Sequence, residues 1–417
     1  MKRTRLSEVV HIISGGTPQT KEPEYWKGEI KWLSIGDFRY VNKYVETSEK
    51  TISEEALKNS STKLLKINDI IISARGTVGA MAMLKEEMAF NQSCFGLRSK
   101  DVYLNQDYLY YYLKYYIKSI KSKTQGSVFE TINLSTFDML DIDIIDMRYQ
   151  DKIAHILSAV DNKIELNIKQ NKEIDTLTRT IYDYWFTQFE FPDKTNQPYM
   201  SSGGRMFWNE KLKRDIPVGW KDGRIENLGE VILGGTPKTS VKKNYSDHGI
   251  AWITPNDLSN KSDMYISHGE RDISEIGLES SSAKLMPSGS VLLTTRAPIG
   301  YLAIAINEVC TNQGFKSIVP NEGLSSEYVF YTIKRNMPKI ISLGSGTTFK
   351  EVSKDSLSNL EVILPDENVI DRFNKVIFPF AETRKKCELE NKYLGNLREF
   401  LLPLLMNGQV GFKEDKN

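Results

Sequence analysis

The chain has 417 residues, 55 Lys and Arg against 54 Asp and Glu, and a net charge of +1. That length accommodates two or three domains with real cores, and the near-neutral balance means a polyanionic partner must be met by a local patch. The three cysteines, Cys94, Cys310 and Cys387, lie far apart with no Cys-x-x-Cys pair, so a zinc knuckle or a disulfide framework is not expected. A reducing cytoplasm fits them best. The basic start, Met1–Arg5, lacks the apolar run of a signal peptide, and no stretch of about 18 apolar residues calls for a membrane span.

From the start to about Ile145 the chain alternates short β-rich runs, such as Ile70–Ser73 and Ile142–Ile145, with one helical stretch near Gln106–Ser119. A long polar helix follows, with Ile153, Val160, Asn167, Ile174 and Ile181 seven apart and Leu157, Ile164, Asn171, Thr178 and Trp185 as a companion series. Phe189–Trp220 is rich in Pro, Gly and Ser and reads as an extended connector. From about Asp222 to Leu364 the β-rich pattern returns, with runs at Ser290–Leu293 and Leu360–Leu364 and a helical stretch at Ser326–Met337. A second heptad helix closes the order, with Phe373, Phe380, Cys387, Leu394 and Leu401 in one series. Val376, Thr383, Glu390, Leu397 and Leu404 form the other. Both seams are apolar at the ends and polar in the middle, so an antiparallel pairing would bring the polar layers together. The alternative is that each helix lies on its own domain.

The two β-rich regions are copies. Ser14-Gly15-Gly16-Thr17-Pro18 returns as Leu233-Gly234-Gly235-Thr236-Pro237, and Lys31–Phe38 returns as Ala251–Leu258. Ser73–Gly79 returns as Thr294–Gly300, and Asn91-Gln92 as Asn312-Gln313. The spacing stays between 219 and 221 residues, far beyond the 20 to 50 of a solenoid repeat, so this is a duplicated domain. The expected architecture is α+β: two similar β-rich α/β domains joined by two long helices in an antiparallel coiled coil, with pseudo-two-fold symmetry. The expected boundaries are residues 1–148, a helix over 149–186, a linker over 187–221, a second domain over 222–365 and a helix over 366–408.

The Gly-Gly-Thr-Pro turns lack the Lys-Ser/Thr of a P-loop; they read as tight turns whose amides could approach a phosphate. Arg75 and Arg296 follow predicted strands and suit phosphate oxygens or an internal ion pair. The Tyr- and Lys-rich stretch Tyr108–Lys123 suggests core tyrosines, with Lys118, Lys121 and Lys123 as phosphate contacts. No nucleotide motif, amino-methyltransferase motif or His-Glu-x-x-His occurs, and the four histidines are scattered. Neither catalytic nor metal-ligating residues are assigned.

Taken in this order, the chain resembles the specificity subunit (HsdS) of type I restriction-modification systems over nearly all its length. The copied openings at Ser14–Ser34 and Ile216–Trp220 look like target recognition domains. Ile156–Ile164 and Leu401–Val410 look like that family's helical spacers. The family's Gln-x-x-Ile helix entrance is kept at Gln150 and Ile153, but Val369–Phe373 departs from it. The resemblance implies a non-catalytic subunit that reads a bipartite, asymmetric site in double-stranded DNA, one domain per half-site. It implies two modification subunits docked on the helices, methylating adenine N6 with S-adenosylmethionine. Restriction subunits would join through the complex and use ATP and Mg. No cofactor is expected on this chain, and the location is cytoplasmic. A helix of about 38 residues would be roughly 55 Å long, enough for domains at its ends to address major grooves about 34 Å apart.

Residues shared by the copies cannot distinguish two half-sites, so Thr17, Thr236, Arg75 and Arg296 are expected at the DNA backbone or in the fold. Base reading is expected where the copies differ: Arg39, Tyr40, Asn42, Lys43 and Tyr44 in the first, Asn256, Ser259, Asn260, Lys261 and Arg271 in the second. Two other readings stand beside this one: a coiled-coil scaffold without a DNA role, and the recognition part of a split DNA methyltransferase or nuclease.

Overall fold

Pairing of the β-rich runs gives each copy a five-stranded sheet of the same order and a four-stranded companion that shares three strands, the fourth lying at opposite edges, Leu64–Leu65 in the first copy and Tyr245–Ser246 in the second. A computed structural model describes residues 2–100, 104–123, 131–259, 263–296, 298–346 and 350–411. The side chains of residue 2 and of residues 118–123 lie outside that description. The chain divides into two units, Met1–Ile168 with Glu390–Asn417, and Lys169–Leu389.

In the first unit a five-stranded sheet runs Val10–Ser14, Cys94–Ser99, Ile70–Ser73, Met81–Leu84, Tyr44–Val45, antiparallel except for the last pair. A second sheet runs Lys50–Ile52, Ile30–Leu33, Met88–Phe90, Leu64–Leu65. In the second unit the five-stranded sheet is Gly229–Leu233, Lys316–Pro320, Val291–Thr295, Ile299–Ala305, Tyr265–Ile266, again with one parallel edge pair. Its companion runs Tyr245–Ser246, Arg271–Ile273, Ile250–Ile253, Val309–Thr311. Each copy is closed by its first and last strands, Lys2–Arg5 with Asp141–Ile144 and Lys221–Arg224 with Glu361–Leu364. The strands Ile70–Ser73 and Val291–Thr295 are buried throughout, which is why they read as unbroken apolar or β-branched runs.

Gln106–Lys123 is helical, capped by Asn105, whose Oδ1 accepts the Tyr108 amide at 2.9 Å. Tyr108, Tyr110 and Tyr111 are buried core residues, as the sequence suggested for most of this stretch. Its counterpart Ser326–Arg335 is capped by Ser325.

The long helices span Met147–Tyr182 and Glu367–Met406. Asp146 and Asp366 cap their starts through the amides of Arg148 and Asn368, both at 2.9 Å. Gly408, at φ +68°, ends the second, with the Gln409 amide bonded back to Leu404 at 2.9 Å. Gln150 is buried, bonding the Asn105 amide and the Ile145 carbonyl, both at 2.9 Å. Ile370 stands at the corresponding place in the second helix, where it joins an apolar core instead; that is the physical content of the departure from Gln-x-x-Ile.

The helices pair antiparallel in each unit. In the first, Asp161 meets Arg398 and Asn167 meets Asn391, so one helix ascends as the other descends. In the second, Gln170, Asp175 and Tyr182 meet Cys387, Arg384 and Phe373. Each unit therefore takes half of each helix, and the boundaries fall inside helices rather than at their ends. The polar layers do meet: Asn167 donates to Glu390 at 2.8 Å and to Asn391 at 2.9 Å.

One seam needs correction. Val376 is 39% exposed, and the companion series is instead Ile377, Arg384, Asn391, Arg398 and Leu405, one residue on. Selecting apolar residues hid it, because two of its members are arginines buried by pairing with aspartates. The connector is also more than extended chain. Met206–Asn209 and Arg214–Pro217 form a hairpin, and Phe189, Phe191 and Trp220 are buried, Phe191 stacking on Trp220 at 5.1 Å.

Candidate nucleic-acid interface

The repeated motifs converge on one hydrogen-bonded frame, built twice. The Gly16 amide donates to Phe90 at 3.0 Å, and the Gly235 amide to Thr311 at 2.8 Å. The Trp32 and Trp252 indoles donate to the carbonyls of Gly16 and Gly235 at 3.2 and 3.0 Å. A Cβ on Gly15 or Gly234 would overlap the carbonyl of Asn91 or Asn312, so glycine is required by close approach. Asn91 and Asn312 each hold the amide two residues on through Oδ1, at 3.1 and 2.9 Å. Asp37 takes the Ser34 amide and hydroxyl and the Glu49 amide; Asp257 does the same for Thr254 and Glu270.

Thr17 and Thr236 place their hydroxyls on Gln92 and Gln313. These threonines are thus engaged within the frame. Arg75 and Arg296 are different. Each projects from a loop braced by Ser73 or Thr294, which accept the Ala80 and Tyr301 amides at 3.0 and 2.8 Å. Gly79 at φ +80° and Gly300 at φ +112° complete these loops. Both arginines are exposed, and among the described residues neither side chain has an ion pair. The internal ion pair weighed for them is absent there.

The base-reading candidates separate into groups. Arg39 and Tyr40 are exposed, the guanidinium 4.6 Å from the ring centroid, and Asn256 is exposed. Lys43 is a correction: it is 0% exposed, its ammonium 2.5 Å from Asp107 and 2.9 Å from Ser158 within a cage of Tyr44, Tyr110 and Tyr111. Burial of a lysine requires such a partner, and a lysine so engaged cannot reach a base edge. Asn42 is engaged too, accepting from Arg398 at 2.5 Å. Tyr44 is half-buried under Lys85, and burial first, then Asp107, pushes its hydroxyl up to about 12. The Ser259 hydroxyl bonds to the Asn256 carbonyl at 2.8 Å.

Arg271 pairs across the sheet with Trp252 and lies 4.1 Å from the Tyr245 ring. Lys50 pairs with Trp32 and lies 5.7 Å from the Trp26 ring. The same cation-on-aromatic stack occurs in both copies, so Arg271 belongs with the shared frame rather than with its mismatches. Asn260 and Lys261 lie outside the described residues, as do the side chains of Lys118, Lys121 and Lys123.

Two groups escaped the sequence reading. Lys63 and Lys284 are exposed equivalents, each next to the residue whose amide faces Gly16 or Gly235. Lys238, Lys242 and Lys243 are exposed after the second Gly-Gly turn, where the first copy carries Glu22 and Glu24. Aligning charge signs between copies would have found both. The thiols offer no nucleophile here: all three cysteines are buried, and burial pushes Cys94 up to about 12 and Cys310 to about 11. No helix among the described residues is long and apolar enough to cross a membrane.

A frame repeated to the hydrogen bond, with dissimilar exposed groups around it, is the arrangement of paired recognition domains. The family described as "Type I restriction modification DNA specificity domain" matches residues 1–176 and again 217–392, and the chain belongs to that family. The MjaIX type I specificity subunit of Methanocaldococcus jannaschii is 25% identical, covering 98% of this chain and 93% of the relative. The HindI specificity subunit of Haemophilus influenzae is 25% identical over 71% of this chain and 74% of its own length. The crystal structure of the type I S subunit from M. genitalium shares the fold, with a TM-score of 0.57 at 14% identity, covering 97% of this chain and 95% of that one.

Proposed function

We propose that this chain is the DNA-specificity subunit of a type I restriction-modification complex, reading a bipartite, asymmetric site with one repeat per half-site. The observation that carries this is the duplicated frame: its shared exposed cations, Arg75, Arg296, Lys63 and Lys284, suit phosphates, which are the same everywhere. The exposed groups that differ, Arg39 and Tyr40 against Asn256, Lys238, Lys242 and Lys243, suit bases or local groove shape. The chain contributes recognition and no chemical step. Two modification subunits dock on the long helices and methylate adenine N6 with S-adenosylmethionine. Restriction subunits, using ATP and Mg, join through the complex.

The test is co-expression with the cognate modification subunits, followed by genome-wide mapping of methyladenine. The expected product is one split motif with unlike halves. A continuous motif, or an assembled complex that leaves DNA unmethylated, contradicts the reading.

A further inference from the structure

A cleft opens in the second unit at a place that the first unit closes with tyrosines. Its volume is about 360 Å³, and the buried rings of Tyr182, Phe186, Trp220 and Tyr328 line it. Arg214, Arg335 and Lys339 stand at it, against one carboxylate among the described residues that line it, Glu361.

The equivalent residues of the first unit lie 220 positions away. Ser325 and Asn105 cap the equivalent helices, and Glu361 and Asp141 begin the equivalent closing strands. Tyr112 stands in the place of Thr332, and its hydroxyl crosses to the Asp141 carbonyl at 2.9 Å. Tyr115 stands in the place of Arg335, and its hydroxyl reaches Asn407, the counterpart of Thr187, at 2.6 Å. Tyr116, in the place of Asn336, stacks on Tyr112 with ring centroids 6.2 Å apart. In the second unit Thr332 and Glu361, and Arg335 and Thr187, line the cleft instead of bridging it. Tyr182 replaces Leu402 and bonds Thr332 at 3.0 Å, which recovers part of the lost volume and leaves the rest open.

The cations are not consumed by the fold. Arg214 donates to the Thr187 carbonyl at 3.4 Å and lies 4.8 Å from the Phe189 ring, so its guanidinium is held in place with donors to spare. Burial first, then Arg335, disfavours its charged form. Arg335 has a loose pair with Asp183 at 3.8 Å, and among the described residues neither Arg214 nor Lys339 has an ion pair. Guanidiniums grip carboxylates and phosphates with paired donors, and aromatic walls suit a flat ring. A cleft of this volume fits a metabolite-sized molecule.

We propose that this cleft binds a small aromatic anion, a flat ring carrying a carboxylate or phosphate, with its charge at Arg214 and Arg335 and its ring against the aromatic wall. The site joins the end of the first long helix, the connector and the second copy, so its ligand braces the second unit. The inference does not rest on the DNA reading, and no DNA enters its test.

The test is isothermal titration calorimetry on the full chain. The probes are naphthoate and its neutral alcohol, adenosine monophosphate and adenosine, and inorganic phosphate. At least one of the two ring-bearing anions should bind once per chain, about tenfold or more tighter than its neutral counterpart and than inorganic phosphate. Binding of naphthoate alone assigns a carboxylate ligand, and binding of adenosine monophosphate alone assigns a phosphate. R335Y/T187N rebuilds the tyrosine–asparagine bridge of the first unit and should abolish binding. R335Q, a change at an exposed side chain that leaves the packing in place, is the second variant and should weaken the anion by about tenfold without moving the neutral counterpart. Absence of binding by both anions at about 1 mM would overturn the proposal. So would equal binding of a neutral counterpart or of inorganic phosphate, or unchanged binding by the folded variants.

Discussion

Gly15 and Gly234 show how closely single residues are specified. Each lies against a carbonyl of the Asn-Gln turn, so Gly15→Ala should cost about 1–3 kcal/mol, read as a lower urea midpoint. Arg75→Ala should leave that midpoint alone. It should weaken DNA binding across all sequences and reduce the salt slope by about 1, as for the loss of one phosphate contact. Tyr40→Ala should instead relax preference at one half-site. Lys114 supplies a pH signature. Burial, then Arg398, holds its ammonium down to about 8 from an ordinary 10.5. Between those values the unfolded chain binds more protons than the folded one, so stability should rise with pH from about 8. Above about 10 the trend should reverse, because burial raises Tyr108, Tyr110 and Tyr111 and the folded chain then holds the extra protons. Lys114→Met should flatten the first rise in thermal midpoints measured against pH.

At the scale of elements, the long helices were legible as heptads, but one of their four seams was misread by one residue. Apolar periodicity located Phe373, Cys387 and Leu394. It could not locate Arg384 and Arg398, since an arginine in a sequence looks solvated until its partner is known. Asp161→Ala should therefore cost about 3–5 kcal/mol, because the largely buried Arg398 would keep only the more distant carboxylate of Glu399, at 3.5 Å. Replacing Asp161 and Arg398 together by Leu and Met should recover most of that loss. A double-mutant cycle on chemical denaturation checks the coupling. Lys43 has the same lesson at a loop: beside Arg39 and Tyr40 it resembled a base reader, and only the fold brings Asp107 and Ser158 to it.

For the whole molecule, duplication organises both fold and proposed function. Each unit draws on both long helices, so the copies are joined by shared elements and not only by a tether. If helix length sets the separation of the half-sites, inserting one heptad into both helices should lengthen the spacer of the methylated motif and leave both half-sites unchanged. An unchanged spacer in methyladenine maps would refute that dependence. Exchanging residues 222–365 for the same region of a relative should change one half-site only.

The sequence by itself determined the repeat, the strand and helix types, the polar middles of the heptad seams and the family resemblance. All of these follow from local periodicity or from comparing the chain with itself. Tertiary structure alone decided which polar residues are spent. Thr17, Asn42, Lys43 and Arg398 are as polar in the sequence as Arg39 and Arg75 are. They are occupied because distant segments bring Gln92, Asp107 and Asp161 within bonding reach, and no local pattern records that meeting.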